Sequence, residues 1–337
     1  MTRHEETFHW PAPRTDVPRS TAARTLAGSA HVWFDWLRAL DAARKPRAPQ
    51  PEAYDRLAAP RPVLPGLPID RPLVMGIVNA TPDSFSDGGE AFARADAVAR
   101  ARAQIVAGAD ILDIGGESTR PGAEDVATAN EIERTAPVIA ELRAAGITTP
   151  ISIDTRKAPV AEAALREGAS MVNDVAALTH DPDLGRMVAE AGVPLCLMHA
   201  QGTPQTMQAD PRYSDVLIEV YEWLAERIDA AEAHGIDRSR LIIDPGIGFG
   251  KTVEHNLTLL KGLALLHDLG APILLGASRK RFIGTLSGVE PAGARLAGSL
   301  AVALHAAGQG VQILRVHDVS ETVQALALWR ALTKEGT

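Results

Sequence analysis

Eight short apolar runs in this chain each end in side chains able to do chemistry. They deliver Asn79, Asp113, Asp154, Asn173 with Asp174, His199, Asp244, the triplet Ser278, Arg279 and Lys280, and Arg315 with His317. A single aspartate at such a place is commonly a helix cap. A ring of eight polar ends is not explained by capping, because burying so many carboxylates, amides and cations costs several kcal/mol unless they are paired or meet a ligand. Asp154, Asn173 and Asp244 are acceptors on separate runs, which suits a flat heterocycle presenting several N–H donors. A guanine-like or pterin-like 2-amino-4-oxo edge is such a group, and each carboxylate contact to it would contribute roughly 1.5–3 kcal/mol. Arg315 and His317 stand just before the last helical stretch, whose N-terminal dipole favours an anion, so the far end of the ligand is expected to be phosphorylated. Asn79 and Asp87 are hard oxygen donors, consistent with Mg2+ shared with phosphate oxygens. No cysteine or histidine cluster has zinc spacing.

The elements that must position this ring are regular from residue 72 onward. The apolar runs "LVMGIVN", "DILDIGG", "PISID", "SMVNDV", "PLCLMH", "LIIDPG", "PILLGAS" and "VQILRVH" read as strands. Amphipathic stretches such as "AFARADAVARARAQIVAGA" and "EIERTAPVIAELRAAG" separate them, closing on glycines placed as helix C-caps. Strands alternating with helices pair in parallel through right-handed crossovers, and eight such units predict an α/β fold, a (β/α)8 TIM barrel, over residues 71–337. An open doubly wound sheet is disfavoured because no G-x-G-x-x-G turn follows the first strand. Residues 1–70 read as a separate extension, rich in proline and arginine and holding Trp10, Trp33 and Trp36. Within it "HVWFDWLRALDAARK" predicts one amphipathic helix and "KPRAPQPEAYDRLAAPRPVLPGLP" an extended linker, the whole reading either as a strap that packs its tryptophans on the barrel or as a partner-binding arm.

The 337 residues carry a formal charge of -8 without a sustained basic stripe, which argues against nucleic acid and anionic lipid as partners and for small molecules. The one cysteine, Cys196 in "VPLCLMH", excludes an internal disulfide and reads as a small core residue of a reducing compartment. The N-terminus has no apolar core of signal-peptide type, and no window of about 18 apolar residues occurs, so a cytoplasmic protein without a membrane span is expected.

The segments "NATPDSFSDGG", "DIGGESTRPG", "SIDTRK", "VNDV", "LMHAQGTPQTMQ", "DPGIGFGKTVEHN", "GASRKRFIG" and "LRVHDV" resemble, in order, the motifs of the dihydropteroate synthase family. The resemblance implies condensation of 6-hydroxymethyl-7,8-dihydropterin pyrophosphate with p-aminobenzoate, with Mg2+, inhibition by sulfonamides and a homodimer formed through barrel helices. It places the pterin on Asp113, Asp154, Asn173, Asp244 and Lys280, with Met198 and Phe249 against the ring. Pyrophosphate falls to Asn79, Thr119, Arg120, Arg315 and His317, with Asn79 and Asp87 toward the metal. Phe85 and Pro121, on the loops after the first two strands, would wall the p-aminobenzoate pocket beside Ser278 and Lys280. Catalysis would rest on Asp87, Lys280, Arg315 and His317, by loss of pyrophosphate first and amine attack second. Ala80 and Ala200 stand where the family pattern has valine and methionine, and neither position carries a chemical role. A methyltetrahydrofolate-dependent methyltransferase shares the barrel and the acceptors, but "TPDSFSDGG" and "GGESTRPG" argue against it. The same residues also admit a Schiff-base aldolase using Lys280 and a non-catalytic pterin-binding paralogue.

Overall fold

In a parallel barrel each strand must be apolar on both faces at its base, because one face meets the barrel interior and the other the helices. The computed structural model, which describes residues 7–16, 19–68, 70–81, 89–118, 122–203 and 205–334, is built this way. Before the barrel, β1 (Phe8–Pro11) pairs antiparallel with β4 (Leu37–Leu40), and β4 with β5 (Pro46–Arg47), while β2 (Arg24–Thr25) pairs with β3 (Trp33–Phe34). A helix α1 (Pro51–Ala58) follows. The barrel units are β6 (Leu73–Asn79), α2 (Gly89–Val106), β7 (Ile111–Gly115), α3 (Thr128–Ala144), β8 (Ile151–Asp154), α4 (Ala158–Arg166), β9 (Met171–Asp174) and α5 (Leu184–Ala191). They continue as β10 (Leu195–Met198), α6 (Val216–Ala233), β11 (Leu241–Asp244), α7 (Val253–Lys261), β12 (Leu274–Leu275), α8 (Arg281–Ser287), α9 (Leu296–Gly308), β13 (Ile313–Val316) and α10 (Val319–Thr333). The eight strands lie in the order β11-β10-β9-β8-β7-β6-β13-β12, all parallel. The sheet closes on itself where Ile243 N–H donates to Pro272 O at 2.9 Å. The fold is the (β/α)8 barrel that the strand–helix alternation predicts.

Alternation within each strand divides the core in two. Leu73, Met75, Ile111, Met171, Cys196, Ile242, Leu274 and Ile313 form the barrel interior, sealed from below by Val63 and Leu64. Val74, Leu112, Ile151, Val172, Leu195, Leu241, Leu275 and Leu314 face the helices. Two residues further along four of these rows the chemistry changes: Ile111 is followed by Asp113, Met171 by Asn173, Ile242 by Asp244 and Ile313 by Arg315. The polar ring is therefore the upper layer of the barrel interior, standing on an apolar floor.

The N-terminal segment departs from the reading of its sequence. "HVWFDWLRALDAARK" folds as strands β3 and β4, not as a helix: Trp33 pairs with Thr25, and Leu37 and Ala39 are buried while Arg38 between them is exposed. Valine, tryptophan and phenylalanine in succession favour a pleated surface over a helix, and that preference wins here. The proline-rich stretch contains α1, because Pro51 sits in the first helical turn where its missing N–H costs nothing. Of the three tryptophans only Trp10 packs against the main core. Trp33 donates its Nε1–H to Asp16 O at 2.9 Å within the segment itself, and Trp36 is half exposed. Attachment to the barrel comes instead from Phe8, edge-to-face on Tyr221 with centroids 4.8 Å apart, and from buried polar pairs. Asp268 accepts from His9 N–H at 2.8 Å and pairs with Arg56. Arg61 reaches His267 Nδ1 at 2.8 Å, and burial lowers its guanidinium to about 10. Among the described residues no helix is long and apolar enough to cross a membrane.

Candidate active site

Arg315 is the centre of the polar layer. β13 pairs with β6, and its inward row carries the guanidinium across the barrel: Nε donates to Asp113 Oδ2 at 2.6 Å and Nη2 to Asp154 Oδ2 at 2.7 Å. Burial alone would lower its pKa, and the two carboxylates more than offset that and raise it. Asp113 also accepts from Asn173 Nδ2 at 3.2 Å through the same oxygen, while its Oδ1 is buried without a partner. Asp154 is pushed up to about 7 by burial, against the pull of Arg315 and with repulsion from Asp113. Asp244 is raised by burial, with Lys280 opposing, and its Oδ1 accepts from Gly246 N–H at 2.7 Å. A carboxylate oxygen buried without a donor is costly to leave unmatched. Asp113 Oδ1 meets no donor among the described residues.

Around this layer stand Met198, buried on the inward row of β10, and Phe249, on the loop after β11. Lys280 Nζ lies 4.2 Å from the Phe249 ring centroid and donates to Ile247 O. Although its side chain is only partly covered, the barrel wall around it lowers the amine to about 7, with Asp244 opposing. Ser278 and His317 form the rim above, with Ser278 Oγ 3.1 Å from His317 Nδ1. Asn79 ends β6 on the same face and is exposed.

The structure thus brings together Asp113, Asp154, Asn173, Met198, Asp244, Phe249, Ser278, Lys280, Arg315 and His317. It places Arg315 a layer below the rim, against two carboxylates, where the sequence reading put it beside the leaving pyrophosphate. Asp174 and His199 leave the ring altogether. Each immediately follows an inward residue, Asn173 and Met198, so alternation turns it outward. Asp174 fastens its own loop, accepting from Ala176 N–H at 2.8 Å and Leu178 N–H at 2.7 Å, and burial holds it up near 6. His199 packs edge-to-face on Trp223 at 4.8 Å, and burial with the nearby Lys251 lowers it to about 2. Arg279 turns away to Asp318, its Nε 3.0 Å from Oδ2. Phe85, Asp87, Thr119, Arg120 and Pro121 lie outside the described residues.

Two polar groups that the sequence reading did not single out support the site. Lys157 donates to Glu131 Oε2 at 2.7 Å, to Glu117 Oε1 at 3.2 Å and to Val126 O at 2.6 Å. It thereby joins "SIDTRK" to both ends of the loop that begins "GGEST". Opposite charges in loops after adjacent strands were the available signal. Lys251 is the second, buried between β10 and the loop after β11. Among the described residues no group of three or more His, Cys, Asp or Glu could hold a metal ion.

The family model described as "Pterin binding enzyme" matches residues 75–317. The dihydropteroate synthase of Escherichia coli (strain K12) is 48% identical over 265 residues, covering 79% of this chain and 93% of that protein. Solved structures agree. The Xanthomonas albilineans dihydropteroate synthase with 4-aminobenzoic acid superposes with a TM-score of 0.73 at 51% identity, covering 78% of this chain and 93% of the other. The same organism's enzyme in complex with 7,8-dihydropteroate gives a TM-score of 0.72 at 48% identity, covering 79% and 95%. The Yersinia pestis enzyme in a sulfonamide drug complex gives 0.74 at 44%, covering 79% and 97%. Matches this long and this similar, on a barrel whose interior ends in the acceptors a pterin needs, show that the chain belongs to the dihydropteroate synthase family of pterin-binding enzymes.

Proposed function

We propose that this chain is a transferase that condenses 6-hydroxymethyl-7,8-dihydropterin pyrophosphate with p-aminobenzoate, giving 7,8-dihydropteroate and pyrophosphate for folate synthesis. The observation that carries the reading is the inward row of acceptors with one buried oxygen left without a donor, Asp113 Oδ1. In this reading Asp113, Asp154, Asn173 and Asp244 receive the N–H edge of the pterin. Asp244 keeps Oδ1 on Gly246 N–H and offers Oδ2. Met198 and Phe249 flank the ring, and Lys280 and Arg315 supply positive charge within the same layer.

The C–O bond at the exocyclic methylene breaks first, its electron pair leaving with pyrophosphate. The methylene cation is delocalised into the dihydropterin, and the buried carboxylates stabilise it more than they stabilise the neutral ground state. His317 and Asn79 at the rim take the leaving group, with Thr119 and Arg120 from the neighbouring loop. The amine of p-aminobenzoate then forms the C–N bond and releases one proton. Ser278 and Lys280 stand beside its place, and Phe85 and Pro121 wall it. Sulfonamides compete there.

Asn79 and Asp87 are hard oxygen donors, and in this reading they would hold a Mg2+ ion that comes with the diphosphate. The chemistry such an ion would supply is neutralisation of charge on the departing diphosphate. Leu286 on α8 and Leu328 and Leu332 on α10 are 57%, 64% and 72% exposed. Leu328 and Leu332 lie four residues apart on one face of α10, and these exposed apolar side chains support a homodimer formed through barrel helices. Sedimentation at micromolar concentration tests it, a monomer counting against it. The reaction itself is tested by pyrophosphate release on mixing the two substrates with Mg2+, and release without dihydropteroate formation counts against it.

A further inference from the structure

The loop between β11 and α7 passes directly over the chain leaving β10. Gly246, Gly248 and Gly250 take φ of 65°, 83° and 64°. A Cβ on Gly246 would fall 1.8 Å from His199 O, and one on Gly250 2.5 Å from Gln201 O. Only glycine permits both the left-handed backbone and the close approach. Four consecutive carbonyls of this loop each accept a side-chain donor. Lys280 Nζ donates to Ile247 O, Gln208 Nε2 to Gly248 O at 2.6 Å, Lys251 Nζ to Phe249 O at 2.9 Å, and Tyr213 Oη to Gly250 O at 2.9 Å. The loop's conformation is therefore set by side chains, and Phe249 is among the residues they hold.

Lys251 differs from the other three donors. It is 3% exposed, and its Nζ bonds His199 Nδ1 at 2.8 Å as well as Phe249 O. His199 is itself 5% exposed and held edge-to-face on Trp223. The charged groups facing the amine are Lys280, which repels it, and Asp244, which attracts it. Burial lowers its pKa well below the ordinary lysine value, and the amine spends its hydrogen bonds on His199 Nδ1 and Phe249 O. A methionine would fill the same space without the cost of burying an amine. What the lysine adds is the link from the outer face of β10, through His199, to the Phe249 carbonyl.

We propose that Lys251 is a positioning residue whose buried amine fixes the Phe249 peptide and so holds the Phe249 ring against Lys280 at the pterin face of the site. The role acts through Phe249 and touches no substrate. It rests on the assignment of the pterin to this layer. Loss of the amine frees the Phe249 carbonyl to rotate and takes the ring off the pterin, while the p-aminobenzoate place meets this loop only through Lys280, whose bond to Ile247 O does not involve Lys251.

Two variants of the full-length protein test it, Lys251→Met and Lys251→Gln, the second keeping one donor. Calorimetric Kd for the dihydropterin pyrophosphate and KM for p-aminobenzoate are read on protein shown by circular dichroism to be folded. Lys251→Met is expected to weaken pterin binding about tenfold, the scale of one hydrogen bond's directing effect, with KM for p-aminobenzoate within about twofold and Lys251→Gln in between. Parental pterin affinity in folded Lys251→Met overturns the proposal, and so does an equal loss for both substrates, which would mean general loosening. Should Lys251→Met not fold, Lys251→Gln alone decides: a selective pterin loss supports the role, and parental affinity or a matched loss overturns it. Failure of the parent protein to bind the pterin would instead remove the functional assignment, which keeps the two outcomes apart.

Discussion

Replacing Arg315 by methionine should destabilise the protein in a way that depends on pH. The guanidinium lies 2.6 Å from Asp113 and 2.7 Å from Asp154, and methionine keeps the volume while removing the charge. Breaking a buried pair from one side costs about 3–5 kcal/mol, because the other charge is left uncompensated. The cost need not be borne in full, since Asp154 already sits at about 7 and can take up a proton. Arg315 is the largest charge holding it down, and an opposite charge at this range shifts a carboxylate by roughly 1–3 units. At about 1.4 kcal/mol per unit, protonation recovers roughly 1.4–4 kcal/mol of the loss. A carboxyl whose folded pKa exceeds its unfolded value of about 3.9 makes the fold lose stability as pH rises between the two, and no further above the higher one. In the parent that fall ends near 7, and in Arg315→Met it continues upward. The difference between the two proteins should therefore be smallest at pH 6, where what remains is the cost at Asp113, and should widen steadily from pH 7 to pH 9. Urea titrations of ligand-free protein at pH 6, 7, 8 and 9 measure it. A penalty that is the same at pH 6 and pH 9, or below about 1 kcal/mol at pH 9, would refute the coupling between Arg315 and Asp154.

Because Gly246 N–H already holds one oxygen of Asp244, Asp244→Asn keeps that contact and turns its amide toward the ligand. Pterin affinity should drop by roughly 1.5–3 kcal/mol in calorimetry, and an unchanged value would remove Asp244 from the site. His317→Ala should weaken binding of the pterin pyrophosphate more than that of a pterin lacking phosphates, and equal losses would place the leaving group elsewhere. Deleting residues 1–68 takes away Val63 and Leu64 beneath the barrel and the buried Arg61. The apolar loss alone is about 1.5–3 kcal/mol per side chain, so the melting temperature should fall while turnover per folded molecule stays near that of the full chain. An unchanged melting temperature would contradict the sealing role given to Val63 and Leu64.

The barrel was legible because its signal is repeated: eight apolar runs of strand length, each followed by an amphipathic stretch and a glycine. The acceptors at the strand ends were legible for the same reason. Period-two alternation, applied strictly, would also have shown that Asp174 cannot share a face with Asn173, nor His199 with Met198. The roles of Lys157 and Lys251 were not legible, since each joins segments far apart in the chain and neither lies at a strand end. Arg315 shows a further limit. Its place in the row was readable, but a side chain that long can reach either the rim or the opposite wall, and here the two carboxylates decide. In the N-terminal segment, "HVWFDWLRAL" carries a helix-like spacing and a strand-like composition, and pairing with β1 and β2 resolves it in favour of strands.

The central claim is that the acceptor layer binds a pterin whose pyrophosphate departs on transfer to an aryl amine. The direct measurement is pyrophosphate released from 6-hydroxymethyl-7,8-dihydropterin pyrophosphate with Mg2+, before and after p-aminobenzoate is added. The account predicts sustained release only with p-aminobenzoate present, one pyrophosphate for each 7,8-dihydropteroate formed. Binding of the pterin pyrophosphate with no release on addition of p-aminobenzoate, or release without dihydropteroate, would contradict it.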